Sequence, residues 1–332
     1  MIVNIGTFVG GLVLLLVGGR LLVSASVDTA SRLRVSALVV GLTLVAWGTS
    51  APELSLNLIS ASKGRGDLAL GNVVGANICN IALVLGACAI IRPLVVQQRL
   101  VNIELWINAA LLVFMAGMAL LFGLPTWSAA VMLAAFAAYS AWTIMSALRQ
   151  TEVAPVSAAA IGSDPTMDKL PMGWFMIGAC FVGGLALLTF GGSLASDGAS
   201  GVAIGLGVPA AIVGVTIVSI GTTLPEMVTG LMAVRRGQTD LAVGNVVGSC
   251  LFNAGAIFGL SGLIGSSMGA AETPVDASLR LPLVYMALLA LALIAIVRTH
   301  DRTVSRTKGT ALLASYVVFL ATSSALLWQS GP

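Results

Sequence analysis

The stretch VVGLTLVAWGTSAPE, residues 39–53, returns 173 residues later as IVGVTIVSIGTTLPE, residues 212–226, without a gap. Behind it DLALGNVVGANICN (67–80) lies on DLAVGNVVGSCLFN (240–253), and over 39–86 against 212–259 twenty of 48 positions are identical. A shared taste for Leu, Val and Ala would not reproduce Gly-Thr, Pro-Glu, Gly-Asn and a terminal Asn in step. The register reaches back to Gly18 and Gly19 over Gly191 and Gly192. The chain therefore reads as a first repeat at 1–148, a polar linker at 149–171 and a second repeat at 172–332.

Composition names the solvent of those repeats. With 58% hydrophobic and 9% charged residues and a mean hydropathy of +1.03, the chain has more apolar surface than a water-soluble core of its length could hide. An apolar run of about 18 residues or more can span the roughly 30 Å of hydrocarbon as a helix. Ten such runs are present, near 2–27, 36–61, 68–91, 104–122, 127–148, 172–195, 209–234, 241–264, 281–298 and 310–328. Barrel strands would be shorter and alternating, so the expected fold is an all-α integral membrane protein of ten transmembrane helices. Five spans per repeat is an odd number, so the second copy must enter from the opposite side. Such inverted repeats recur in secondary transporters, with the ion site near the bilayer midplane.

Charge placement orients the chain. With the N-terminus outside, the cytoplasmic loops hold twelve basic residues (Arg32, Arg34, Arg92, Arg99, Arg149, Lys169, Arg235, Arg236, Arg298, Arg302, Arg306, Lys308) and the outer loops three, Lys63, Arg65 and Arg280. That bias puts both termini outside, in a multi-pass protein of the plasma (inner) membrane. The first run has no basic residue before it and reads as a retained span rather than a signal peptide. The net charge of +3 reflects topology and offers no basic cluster for nucleic acid. Cys79, Cys88, Cys180 and Cys250 lack metal-ligand spacing and read as apolar packing. The lipid bilayer is the one large partner implied; no protein partner is inferred.

Against this apolar background Glu53 and Glu226 stand out, each directly behind a proline. Proline has no N–H, so Pro52 leaves the carbonyl of Gly48 without its helical donor, and Pro225 does the same at Gly221. Broken backbone at membrane depth is tolerated where it lines an ion or water site. Hydroxyls gather there at Thr49, Ser50, Thr222 and Thr223, and Thr49–Glu53 and Thr222–Glu226 are four apart, on one helix face. Asn72, Ala76 and Asn80 form a stripe matched by Asn245, Ser249 and Asn253. Gly71 with Gly75, and Gly244 with Gly248, form GxxxG pairs that admit a close neighbour and would carry Asn80 and Asn253 toward the glutamates. Carboxylate, hydroxyl, carbonyl and amide oxygens make a hard-cation site, for Ca²⁺ or Na⁺ rather than zinc or copper. Two carboxylates are neutralised by one Ca²⁺, or by two Na⁺ or protons, and mutually exclusive occupancy is the physical basis of exchange. Asp67 and Asp240 also match, but each opens a span, where helix capping explains them. His300 reads as solvated in a basic loop.

GTSAPE with GNVVGANICN, and GTTLPE with GNVVGSCLFN, resemble the two alpha-repeats of the calcium/cation antiporter superfamily, which includes sodium/calcium exchangers. The resemblance covers nearly the whole ten-span plan. It implies exchange of Ca²⁺ against Na⁺ by alternating access, with the first and sixth spans sliding as a pair against the rest. It also implies that Glu53 and Glu226 bind Ca²⁺ with oxygens of Thr49 and Thr222. Ser50, Thr223 and Ser249, with the backbone at Ala46 and Ser219, would complete sodium sites. Three departures stand out. Ala76 lacks the hydroxyl that family members often carry there, Asn253 stands where some relatives have Asp and argues against a potassium requirement, and the 149–171 linker is too short for calcium-sensing domains.

Two other readings use the same residues. A proton-coupled calcium antiporter would load H⁺ on the glutamates, and a passive cation channel would show flux with no counter-ion. With no nucleophile–base pair, phosphate loop or metal-ligating histidine, the chain does not read as an enzyme, and no cofactor is implied beyond the transported ions.

Overall fold

A computed structural model describes residues 1–149, 172–207, 219–267, 276–299 and 301–329. Residues 150–171 of the 149–171 linker, and His300, lie outside the described residues. In chain order the helices are α1 (Ile2–Leu33), α2 (Ala37–Thr49), α3 (Ala51–Ser62), α4 (Gly66–Ile91), α5 (Leu100–Phe122), α6 (Thr126–Arg149), α7 (Trp174–Gly205), α8 (Ser219–Thr222), α9 (Leu224–Arg235), α10 (Thr239–Gly265), α11 (Ala277–Val297) and α12 (Arg306–Gln329). Among the described residues seven are long and apolar enough to cross a bilayer, and the α2–α3 pair, bent by 47°, makes an eighth span. Helices also stand where the seventh and tenth spans were expected, α8 with α9 and α12. The opening of the seventh, 209–218, lies outside the described residues.

α1 and α7 are longer than their apolar runs. Each has 32 residues, about 48 Å at 1.5 Å per residue, more than the hydrocarbon thickness requires. Hydroxyls near the end of the first run bond inside the helix: Ser24 Oγ donates to Arg20 O at 2.8 Å, Ser26 Oγ to Leu22 O at 2.7 Å and Thr29 Oγ1 to Ala25 O at 2.7 Å. Back-bonded in this way, they do not break the helix.

The chain forms two compact units, and each draws on both halves of the sequence. Unit 1 comprises Met1–Thr49 and Trp142–Gly248. At its centre α1 and α7 pack along their length, with glycines every seventh position: Gly11 and Gly18 on α1, Gly184, Gly191 and Gly198 on α7. A methyl at Gly18 would stand 2.8 Å from Gly184 O, and one at Gly191 2.9 Å from Gly11 O. The backbones touch, and dispersion between them replaces the hydrophobic drive that lipid does not supply. α9 lies against both helices.

Unit 2 comprises Ser50–Ala141 and Ser249–Pro332. The end of α4 packs on α12, and α5 on α11. A methyl at Gly86 would lie 3.0 Å from Gly309 O, and Cys79 Sγ lies 3.1 Å from Tyr316 Oη. Two loops join in a ribbon, β1 (Leu94–Val95) antiparallel to β2 (Thr303–Val304), with Leu94 opposite Val304. Two-residue strands are too short for an alternating pattern, so the ribbon left no trace in the sequence. Beside it Thr299 Oγ1 and the Thr303 amide donate to Asp301. Those bonds, with Lys308 nearby, hold its carboxyl below the usual value.

Candidate functional site

The two Pro-Glu segments share one backbone solution. α2 stops at Thr49, Ser50 turns with φ −89° and ψ 8°, and α3 starts with Pro52 second and Glu53 third. α8 stops at Thr222, Thr223 turns with φ −90° and ψ 0°, and α9 starts with Pro225 second and Glu226 third. Both turn residues sit in the sparsely populated bridge region. The prolines therefore begin new helices as well as ending old ones. First-turn proline has a suitable φ and no N–H to leave unpaired. Each glutamate lies in a first turn, where free N–H groups and the helix dipole favour an anion. The sequence pointed to the break; the anion-stabilising restart comes from the structure.

Glu53, Glu226, Thr49, Ser50, Thr223, Asn80, Ser249 and Asn253 are each at most 1% exposed, and Ala46 is buried with them. Thr222 is half-buried, and Ser219, expected to contribute its backbone, opens α8. Buried oxygens at this depth need a donor or a cation. Asn80 Oδ1, Ser249 Oγ and Asn253 Oδ1 have no hydrogen-bond partner among the described residues. Such acceptors suit a hard cation.

In unit 1, α9, which carries Glu226, packs against the end of α2, which carries Ala46 and Thr49. The glycines of the second GNVVG press α10 onto α2: a methyl at Gly244 would stand 2.7 Å from Leu38 O, and one at Gly248 2.6 Å from Leu42 O. Between those contacts Asn245 Oδ1 accepts from Thr49 Oγ1 at 3.3 Å. The sequence placed Asn245 on the stripe but not among the ligands. A fully buried amide in a Gly-Val run was the available signal.

In unit 2, α3, which carries Glu53, packs against the first part of α4 and against a π turn of α10, Asn253–Ile257. α4 holds a π turn of its own, Cys79–Val84. Each π turn starts where the asparagine stripe ends, at Cys79 and at Asn253, and adds a residue to the hydrogen-bonded ring, so α-helical spacing stops there. The first GxxxG also differs. Among the described residues only the Leu279 side chain comes near a methyl at Gly71, at 3.3 Å, and nothing lies within 4 Å of one at Gly75. Residues 208–218, which match the α2 segment gripped by the second copy, lie outside the described residues.

Other buried polar groups carried no assignment, among them Asn57, Asn77 and Glu104. Asn57 and Asn77 turn their amide nitrogens back to Glu53 O and Val73 O, each at 2.8 Å, and leave Oδ1 without a partner among the described residues. Glu104 is buried at the start of α5 but pairs with Arg99 Nε at 2.9 Å. Asp67 and Asp240 fall within the first turns of their helices, which fits a dipole role rather than a cap.

The sequence model described as sodium/calcium exchanger protein matches residues 3–145 and again residues 176–325. The candidate antiporter CaxA of Alkalimonas amylolytica is 31% identical over 314 residues, covering 92% of this chain and 94% of that protein. The sodium/calcium exchanger MaX1 of Methanosarcina acetivorans is 28% identical over 343 residues, covering 93% and 95%. A solved structure of the sodium-calcium exchanger NCX_Mj, soaked with Na⁺ and Sr²⁺, superposes with a TM-score of 0.80 at 26% identity, covering 96% of this chain and 98% of that one.

Proposed function

This chain belongs to the sodium/calcium exchanger family, and from that premise we propose that it exchanges Ca²⁺ for Na⁺ by alternating access, with Glu53 and Glu226 as the charged ligands. It is an all-α, multi-pass membrane protein and a cation antiporter, of a family of transporters rather than enzymes. The observation that carries the finer reading is the pair of buried glutamates, each third in a helix that restarts behind a proline.

In the proposed cycle Glu53 and Glu226 hold Ca²⁺ together with oxygens of Thr49 and Thr222. Ser50, Thr223 and Ser249, with the carbonyls of Ala46 and Ser219, complete sodium sites, and the amide oxygens of Asn80 and Asn253 replace lost hydration. Two negative charges cannot hold Ca²⁺ and a full sodium load together, so each ion displaces the other. Uncompensated carboxylates in the membrane interior cost several kcal/mol. The empty protein therefore resists changing sides, and transport stays coupled. The ten spans form two inverted repeats, with both termini outside the cytoplasm, and the basic residues of the loops support that orientation.

Proteoliposomes test the proposal. Isotopic Ca²⁺ uptake is expected when an outward Na⁺ gradient is imposed and not when a pH gradient replaces it. Uptake driven by the pH gradient alone would make H⁺ the counter-ion, and uptake needing no counter-ion would indicate a channel.

A further inference from the structure

Thr49 Oγ1 carries one proton and has two acceptors in reach: Asn245 Oδ1 at 3.3 Å and the carbonyl of its own turn, Ala46 O, at 3.4 Å. Which acceptor takes the proton decides what a cation meets. If Ala46 O takes it, a carbonyl lone pair is consumed, and the hydroxyl bonds back along its helix. When Asn245 Oδ1 takes it, Ala46 O is released and both lone pairs of Thr49 Oγ1 are available. We propose that Asn245 is a positioning residue: it takes the Thr49 proton and thereby presents the Thr49 hydroxyl and the Ala46 carbonyl to the transported cation. This inference rests on the exchange reading above.

Two observations and one chemical argument support the assignment. Asn245 is fully buried in a Gly-Val run, where a polar atom costs stability unless it bonds; its Oδ1 bonds to Thr49, while Nδ2 has no partner among the described residues. Its backbone is held where α10 and α2 touch, since a methyl at Gly41 would stand 2.7 Å from Leu241 O and 3.1 Å from Asn245 N. The third is chemical direction. An amide oxygen only accepts, so the hydroxyl facing it must donate. The opposite rotamer would aim an N–H at Thr49 and use the lone pair that a cation needs. The repeat-mate Asn72 is only half-buried, so the device belongs to the second GNVVG.

The test is a double-mutant cycle with wild type, Asn245→Leu, Thr49→Val and the double variant, reading half-saturating Ca²⁺ and Na⁺ against maximal exchange rate in proteoliposomes. Asn245→Leu keeps the volume and removes the acceptor. It should raise both half-saturating concentrations about tenfold, the factor that roughly 1.4 kcal/mol represents, with a much smaller loss of maximal rate. In the Thr49→Val background it should add nothing, because there is no hydroxyl left to direct. Equal losses in both backgrounds would overturn the inference and reduce Asn245 to packing. Should Asn245→Leu fail to fold, Asn245→Asp keeps an acceptor at the same place. Thr49→Val should then cost as much in that variant as in wild type, and a smaller cost overturns the inference. A wild-type protein that exchanges normally while the cycle is additive defeats only the role of Asn245. A wild type that moves no Ca²⁺ against Na⁺ defeats the exchange reading and this inference with it.

Discussion

The two repeats agree where charge and backbone are concerned and part company in their neutral oxygens. Ser50 and Thr223 adopt nearly the same dihedrals, and behind each stand a proline and a buried glutamate in matching helical positions. Around those pairs Asn57 faces Gly230 in the alignment, Asn77 faces Cys250 and Ala76 faces Ser249. The first repeat has extra amides and lacks the buried hydroxyls that the second carries at Thr229, opposite Leu56, and at Ser249. The difference teaches a division of labour. In the proposed exchange cycle, charge neutralisation and helix restart would be needed at both glutamates, while neutral dipoles would tune which ion each side prefers and could drift independently.

The largest expected effect tests the symmetric part. Glu53→Gln and Glu226→Gln should each lower Ca²⁺ exchange by at least about a hundredfold, because one missing charge leaves Ca²⁺ uncompensated, while the purified protein stays monodisperse. Normal exchange in either variant breaks the comparison, since the two charges would then be unequal. Next comes the glycine seam. Gly11 and Gly184 are repeat-mates, and each meets backbone on the facing helix, so Gly11→Ala and Gly184→Ala should each cost about 1–3 kcal/mol by overpacking. Gly10→Ala, with nothing within 4 Å, should cost nothing in the same thermal unfolding series. A large cost at only one mate would show that the seam is not symmetric.

Smaller changes sharpen the contrast. Pro52→Ala and Pro225→Ala return an N–H to the break, and both should slow exchange severalfold with a shift in unfolding temperature of no more than a few degrees. Loss of stability without loss of rate would make the break structural rather than functional. Ala76→Ser restores the hydroxyl present at Ser249, and the half-saturating Na⁺ concentration should fall by about two- to threefold, the scale of one modest oxygen contact. An unchanged value would mean that the missing hydroxyl is not what separates the two sides.

Much of this molecule is legible before any coordinates. Membrane residence follows from composition, the duplication from identity in register, and the glutamates from the energetic oddity of charge in an apolar run. These properties are local, so a linear reading reaches them. The helix restart at Ser50 and Thr223 was half legible, since Pro announces the break but not the dihedrals that follow it. Asn245 was visible as a polar residue on a stripe, but its partner, 196 positions away, was not.

The amino-acid sequence by itself determined the solvent, the repeat and the pair of acids. The tertiary structure alone decided the π turns at Asn80 and Asn253, the contact of α1 with α7 and the acceptor that meets Thr49. The physical reason is that these depend on which faces of distant helices touch. Backbone contact at glycine, a residue squeezed into a helical turn and the choice of proton acceptor are settled by distances between segments, and no window along the chain contains those distances.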